Sequence, residues 1–360
     1  MSRRLLVARL DSMGDVLVSG PAIRAVAAAA DHLTLLTGPL GQAAGRLLPG
    51  VDEVLVWACP GSLNPAPSVS PVEFAELVQR LAGLRVDEAV ILTSFHQSAL
   101  PTALLLRLAG IQRIVASSED YPGSLLDLRL PVAEDGPEPE RMLATVRSAG
   151  FELPPGDQGR LAVRLPPASA AEHVPDPQSP YLVVHPGTTA MARAYPAPLW
   201  AETVRRLCAA GWQVLVTGSD SERELTAAIV AAARAGLPDA FAAGAALDLA
   251  GRVELAELAR LLAGAQAVLV ANTGPAHLAA AVGTPVVSLF SPVVPATRWA
   301  PYGVPVALLG DQDAACRGSR RTTCPVPGHP CLSGVQPATV VHAVESLVRH
   351  KTMTPWAVTG

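Results

Sequence analysis

The sequence is poor in aromatic and charged residues, and each shortage excludes something. Aromatics supply 4% and charged residues 16% of the 360 positions, with a formal net charge of −4. That balance carries no basic footprint for nucleic acid, so none is expected as a partner. No run approaches the roughly 20 apolar residues of a membrane span. Met1–Arg9 has the basic start of a signal peptide, but Arg9 and Asp11 break its apolar stretch, which reads as a first strand instead. The chain is therefore expected to be soluble, cytoplasmic and monomeric, with peripheral membrane contact left open. Cysteines number five. Cys59 and Cys208 stand alone, whereas Cys316, Cys324 and Cys331 crowd one late loop beside His329. Their C-x7-C-x6-C spacing lacks the C-x2-C of zinc knuckles, so reduced thiols packing a loop are expected and no metal site. A dinucleotide fingerprint is missing too. Arg9-Leu10-Asp11-Ser12-Met13-Gly14-Asp15-Val16-Leu17 follows the first strand with a single glycine where G-x-G-x-x-G would need three, which speaks against a nicotinamide or flavin cofactor.

What is present is a regular α/β alternation in a chain long enough for two domains. In the first half, strands are expected at 5–10, 32–37, 53–57, 88–92 and 113–115, with helices at 23–30, 42–48, 71–84, 99–109 and 138–149. Pro166 to Pro180 is rich in proline and reads as a linker. The alternation then restarts, with strands at 181–185, 213–217, 267–271 and 286–290 and helices at 198–210, 222–235, 254–263, 275–282 and 337–351. The expected division is a doubly wound, Rossmann-like domain over 1–165, a linker over 166–180, a second such domain over 181–335, and a helix and tail over 336–360. Ligands of such sheets sit beyond the carboxyl ends of the strands.

Chemistry clusters at those ends. Asn272-Thr273-Gly274-Pro275-Ala276-His277-Leu278 joins a strand to a helix very tightly. The free N–H groups of the first turn, the helix dipole and the Thr273 hydroxyl suit an anion, and Gly274 permits close approach. The same residues also read as an ordinary turn capped by Asn272 or Thr273. His185-Pro186-Gly187-Thr188-Thr189 and Arg193 suit a diphosphate, and the carboxylates of Asp220 and Glu222 suit ribose hydroxyls. The plainer readings are turn residues, a solvated charge, and a capping box of Ser221 with Glu224. Asp15, after Gly14 at the first strand end, reads as a general base or as a helix N-cap.

These segments resemble glycosyltransferase family 9, the ADP-heptose heptosyltransferases. Arg9 to Leu17 with Pro21, His185-Pro186-Gly187, Asn272 to Leu278 with Gly283-Thr284-Pro285, and the loop ending His329-Pro330-Cys331-Leu332 carry the resemblance. It implies a GT-B architecture of two Rossmann-like domains facing a cleft, with acceptor on the first and nucleotide sugar on the second. It also implies inverting transfer without a metal, with Asp15 as the catalytic base and the ADP-sugar as substrate, not cofactor. The family's donor-binding residues map to Thr188, Thr189, Arg193, Thr273, Gly274 and His277, with Val253 on the adenine side. Arg193 stands where the family often has lysine, and Asn272 where it often has aspartate. The ribose acid maps to Asp220 or Glu222, with both left open. Acceptor contacts are expected from Ser12, Gly14, His96, Gln97, Asp120 and Tyr121, and the acceptor itself is a glycan or small molecule. Two other readings stand beside this one: a nucleotide-sugar epimerase of the non-hydrolysing GT-B type, and a catalytically silent nucleotide-sugar-binding protein.

Overall fold

The computed structural model describes residues 2–63, 65–94, 97–131, 136–167, 180–237 and 245–353, with backbone alone for 350–353. The chain divides into two compact units, Met1–Arg164 and Leu165–Gly360. The first unit holds β1 (Arg4–Arg9), β2 (His32–Thr37), β3 (Glu53–Val56), β4 (Glu88–Ile91), β5 (Arg113–Ser117) and β6 (Leu128–Leu130). They form one parallel sheet in the order β3-β2-β1-β4-β5-β6. The second unit holds β7 (Tyr181–His185), β8 (Gln213–Val216), β9 (Ala246–Asp248), β10 (Val268–Ala271), β11 (Val286–Leu289) and β12 (Val306–Leu309). Its parallel sheet runs β12-β11-β10-β7-β8-β9.

The central strands are covered on both faces, so they read as unbroken apolar runs: Leu5 to Ala8 and Val268 to Ala271 are all buried. Helices supply the covers. Pro71–Gly83 is started by the Ser70 hydroxyl, which accepts from the Glu73 N–H, and by Pro71 in its first turn, and it buries Leu77 and Leu81. In the second unit Trp200 is fully buried and meets Tyr195 edge to face at 5.2 Å. The final helix, Pro337–Met353, places Val340, Val344 and Leu347 in that same core.

Three strands escape the sequence reading: β6, β9 and β12. They are short, and β6 and β12 form outer edges with no residue of either fully buried, so the apolar signal is weak. A helix runs Met13–Val18, starting two residues before Asp15 rather than after it, and the next one runs Gly20–Ala27 instead of 23–30. Ser19 joins them in helical geometry, its hydroxyl donating to the Asp15 carbonyl at 2.8 Å. Of the proline-rich linker, residues 168–179 lie outside the described residues.

In each sheet the chain reverses direction of growth beside its first strand, between β1 and β4 and between β7 and β10. Those are the topological switch points, where diverging loops leave a crevice at the carboxyl ends.

Candidate functional site

Of the expected residues of the first unit, Ser12, Gly14, Asp15 and Gln97 lie on the two sides of the β1/β4 switch point. Met13–Val18 begins directly after β1, with Ser12 as N-cap and Asp15 as its third residue. Asp15 is thus not the N-cap that one reading of the sequence made it. It is the return arm of a capping box, its Oδ2 accepting from the Ser12 N–H at 3.3 Å and from the Ser12 hydroxyl at 2.5 Å. Gly14 is buried within the helical turn, so conformational freedom is not what it contributes.

Beneath this turn sits Arg9, the last residue of β1, fully buried. Its Nη2 donates to Asp15 Oδ1 and to Ser94 Oγ, both at 3.1 Å, and its Nε lies 3.2 Å from Asp11 Oδ2. Across the crevice Gln97 accepts the Ser94 N–H at 3.0 Å and donates its amide to Asp11. Gln97 is therefore bound into the scaffold, and His96 lies outside the described residues. Asp120 and Tyr121 follow β5 and are exposed, with Asp120 accepting from the Ser98 hydroxyl at 3.5 Å. Arg9 and Asp11 were in the sequence motif but had no role there. An arginine closing an otherwise apolar strand was the available signal.

The second unit repeats the plan at β7/β10. The helix Gly274–Ala281 starts two residues after β10, with Thr273 as N-cap in extended geometry. Thr273 Oγ1 is buried and has no hydrogen-bond partner among the described residues. Asn272 does not cap this helix. Its side-chain amide reaches sideways, accepting the Ser291 N–H at 3.3 Å and donating to the Ser291 carbonyl at 3.4 Å. That pairing ties the ends of β10 and β11, so any ligand contact of Asn272 falls to its backbone. Arg193 bridges the crevice, its Nη1 donating to the Asn272 carbonyl at 3.3 Å. His277 is buried in the helix behind the turn. Thr188 closes a turn of its own, its hydroxyl accepting the Ala190 N–H at 3.2 Å, while Thr189 is exposed.

The two acids after β8 are set apart by their surroundings. The capping box is Ser219 with Glu222, two residues earlier than Ser221 with Glu224. Glu222 accepts the Ser219 N–H at 2.7 Å and its hydroxyl at 2.9 Å, and faces the β7 loop. There Gly187 is glycine for a steric reason: a Cβ would lie 1.9 Å from Glu222 Oε1. Glu222 also stands 3.9 Å from His185 Nε2. Burial pushes the His185 pKa down, with the Glu222 charge opposing, and Thr217 Oγ1 is 3.0 Å from its Nδ1. Asp220 is exposed and paired with Arg223 at 2.8 Å. Both press on Gly251, whose φ of +62° suits glycine. Arg223 also donates to the Gly251 carbonyl at 2.6 Å, which brings the loop of Val253 beside that of Asp220.

The cysteine loop packs under these turns. All five thiols are free, and Cys316 and Cys331 are buried in the core. Its backbone braces both sides of the crevice. The Ala192 N–H donates to the Thr322 carbonyl at 2.8 Å, and Gly318 and Arg320 donate to Pro292 and Val293, each at 2.8 Å. Among the described residues no helix is long and apolar enough to cross a membrane.

Comparison with known proteins agrees with this layout. Lipopolysaccharide heptosyltransferase 1 of Pseudomonas aeruginosa is 39% identical over 150 residues, 41% of this chain and 39% of that protein. The chain thus matches about two-fifths of that relative's length. The structure of E. coli ADP-heptose lps heptosyltransferase II superposes with a TM-score of 0.74 at 21% identity, covering 97% of this chain and 99% of that one. A glycosyl transferase family 9 structure from Veillonella parvula gives 0.78 at 16% identity, over 97% and 98%. These likenesses extend over both units, and the fold is the GT-B pair of doubly wound units. The model of glycosyltransferase family 9 (heptosyltransferase) matches residues 75–329, well over half of the sequence; it takes in the loops after β4, β7 and β10, while the β1 loop with Asp15 lies before it. The chain belongs to that family.

Proposed function

We propose that the chain is an inverting glycosyltransferase that moves a heptose from ADP-heptose to a hydroxyl of a glycan acceptor of the lipopolysaccharide-core class. One observation carries the reading. At the β7/β10 switch point an open helix start, the buried Thr273 hydroxyl with no partner among the described residues, and Arg193 converge on one turn. Together they supply N–H, O–H and guanidinium donors for a diphosphate. The names of the relatives support ADP-heptose and the acceptor class.

In the proposed reaction Asp15 takes the proton of the acceptor hydroxyl as its oxygen attacks the anomeric carbon. The bond to the diphosphate breaks on the opposite face, which inverts the centre. Negative charge grows on the departing ADP, and the Thr273–Gly274 turn with Arg193 stabilises it, so no metal step is invoked. Glu222 is proposed as the ribose acid, because it faces Gly187 in the β7 loop whereas Asp220 points to solvent and Arg223. Val253 lies on the adenine side, and Thr188, Thr189 and His277 complete the donor set. Acceptor contacts are proposed for the exposed Ser12, Asp120 and Tyr121 and for His96, while the Gln97 amide stays bound to Ser94 and Asp11 and Gly14 stays in the helical turn. A cytoplasmic, monomeric enzyme fits this chemistry.

The test is nucleotide-dependent melting followed by transfer. ADP at about a hundred times its dissociation constant adds roughly 2.7 kcal/mol, and it should stabilise more than UDP or GDP, with or without EDTA. ADP-heptose should release ADP only when a deacylated lipopolysaccharide core is present. Conversion of the donor without acceptor would favour epimerisation, and strict dependence on an added divalent ion would overturn the metal-free reading.

A further inference from the structure

We infer that Arg9 is the positioning residue of the transfer reaction, and that it separates the roles of the two carboxylates beside it. The inference rests on Asp15 being the base. A guanidinium removed from water persists only where opposite charge and hydrogen bonds compensate it. Arg9 is fully buried at the end of β1 and meets two carboxylates, Asp11 and Asp15.

The contacts around it close into a ring across the switch point. Arg9 Nη2 donates to Ser94 Oγ at 3.1 Å, and the Ser94 N–H donates to Gln97 Oε1 at 3.0 Å. Gln97 Nε2 donates to Asp11 Oδ1, and Asp11 Oδ2 closes the circuit as an ion pair, 3.2 Å from Arg9 Nε and without a hydrogen bond. A second buried arginine supports the far side: Arg141, paired with Glu138 at 2.7 Å, donates to the Thr93 carbonyl at 2.5 Å, next to Ser94. The ring holds the guanidinium by hydrogen bonds at Nη2 and by the Asp11 charge at Nε, while Nε and Nη1 make no hydrogen bond among the described residues. Asp15 hangs outside it, on the same Nη2 at 3.1 Å, with Ser12 on its other oxygen.

Both oxygens of Asp11 are ring members, so Asp11 acts as the counter-ion that keeps Arg9 in place. Asp15 is held by one guanidinium nitrogen and an exposed serine, and its side chain remains 20% exposed. That is twice the 10% of Asp11, so Asp15 is the more accessible of the two to a ligand. Arg9 therefore acts through Asp15, by fixing the direction of a carboxylate whose reach to the acceptor oxygen decides the rate.

The experiment compares Arg9→Met, Arg9→Lys, Asp11→Asn and Asp15→Asn in transfer from ADP-heptose to deacylated lipopolysaccharide core. Turnover, donor KM, ADP affinity and melting temperature are read on each preparation. Arg9→Met should lose about 100-fold in kcat, the scale of a misplaced reacting group. Donor KM and ADP affinity should stay within twofold, because the donor groups belong to the second unit. Arg9→Lys should recover between about a tenth and a third of the wild-type kcat, since it restores the charge without the fork. Asp11→Asn should lose less than Arg9→Met. A folded Arg9→Met with kcat within threefold of wild type would overturn the inference, as would parallel loss of kcat and ADP affinity. Should Arg9→Met fail to fold, Arg9→Lys decides: a several-fold fall in kcat at constant KM supports the inference, and wild-type kcat overturns it. Asp15→Asn keeps the two claims apart. Normal turnover there removes the base itself, whereas a dead Asp15→Asn beside an active Arg9→Met removes only the role of Arg9.

Discussion

Adding one methyl group at Gly187 should uncouple nucleotide binding from stability. An alanine Cβ there would fall 1.9 Å from Glu222 Oε1 and 2.1 Å from Glu222 Cδ, where real Cβ contacts stay beyond 3.0 Å. The obstacle is the far end of a flexible side chain, so the backbone holds and the carboxylate withdraws by roughly an ångström. Glu222 then loses its bonds to the Ser219 N–H and hydroxyl, at 2.7 and 2.9 Å. Losing a cap of this kind costs about 1 kcal/mol, or roughly 2–4 °C for a unit of this size. The ribose contact is dearer. A hydrogen bond to a charged group is worth about 1.5–3 kcal/mol, so ADP affinity should fall roughly 10- to 150-fold. Titration calorimetry with ADP on Gly187→Ala, Glu222→Gln and Asp220→Asn measures this directly. The first two should weaken together and Asp220→Asn should bind as wild type. Full affinity in Gly187→Ala, with loss in Asp220→Asn, would refute the assignment.

Arg193→Ala should weaken ADP by about 1.5–3 kcal/mol, and unchanged affinity would return Arg193 to holding the Asn272 carbonyl. His185 and His329 both have pKa values lowered by burial from the usual 6.5. Neutral in the fold, they contribute stability that is present above about pH 6.5 and lost as pH falls through their folded values. Melting temperature should drop from pH 7 to pH 5, less so in His185→Gln with His329→Asn; an equal drop in that variant would assign the acid limb to other groups. Burial pushes the Cys208 and Cys331 thiols up to about 11. At pH 8 the partly exposed Cys324 should react first with a disulfide reagent and those two only on unfolding, and a fast reaction of Cys331 would contradict the packing described.

The sequence by itself determined the two-unit plan. Strands buried on both faces leave uninterrupted apolar runs, and β1, β2, β4, β7, β10 and β11 are placed within a residue or two by that signal. Loops at their carboxyl ends had to carry the chemistry, which made Asp15, Arg193, Thr273 and Gly274 legible as candidates. Tertiary structure decided the rest, because partners distant in sequence choose among local alternatives. Ser219 and Ser221 both head an S-x-x-E pattern, and only the seat against Gly187 selects Glu222 over Glu224. Asn272 reads as a cap until Ser291, beyond the next strand, takes both ends of its amide. Asp15 lies in a capping box with Ser12 of its own turn, and only β4, some 80 residues on, shows that its other oxygen faces an arginine ringed by Ser94 and Gln97. Periodicity and spacing report what a residue does to its own helix or strand. The direction in which a polar side chain finds its partner is set by the crevice that two strands make together.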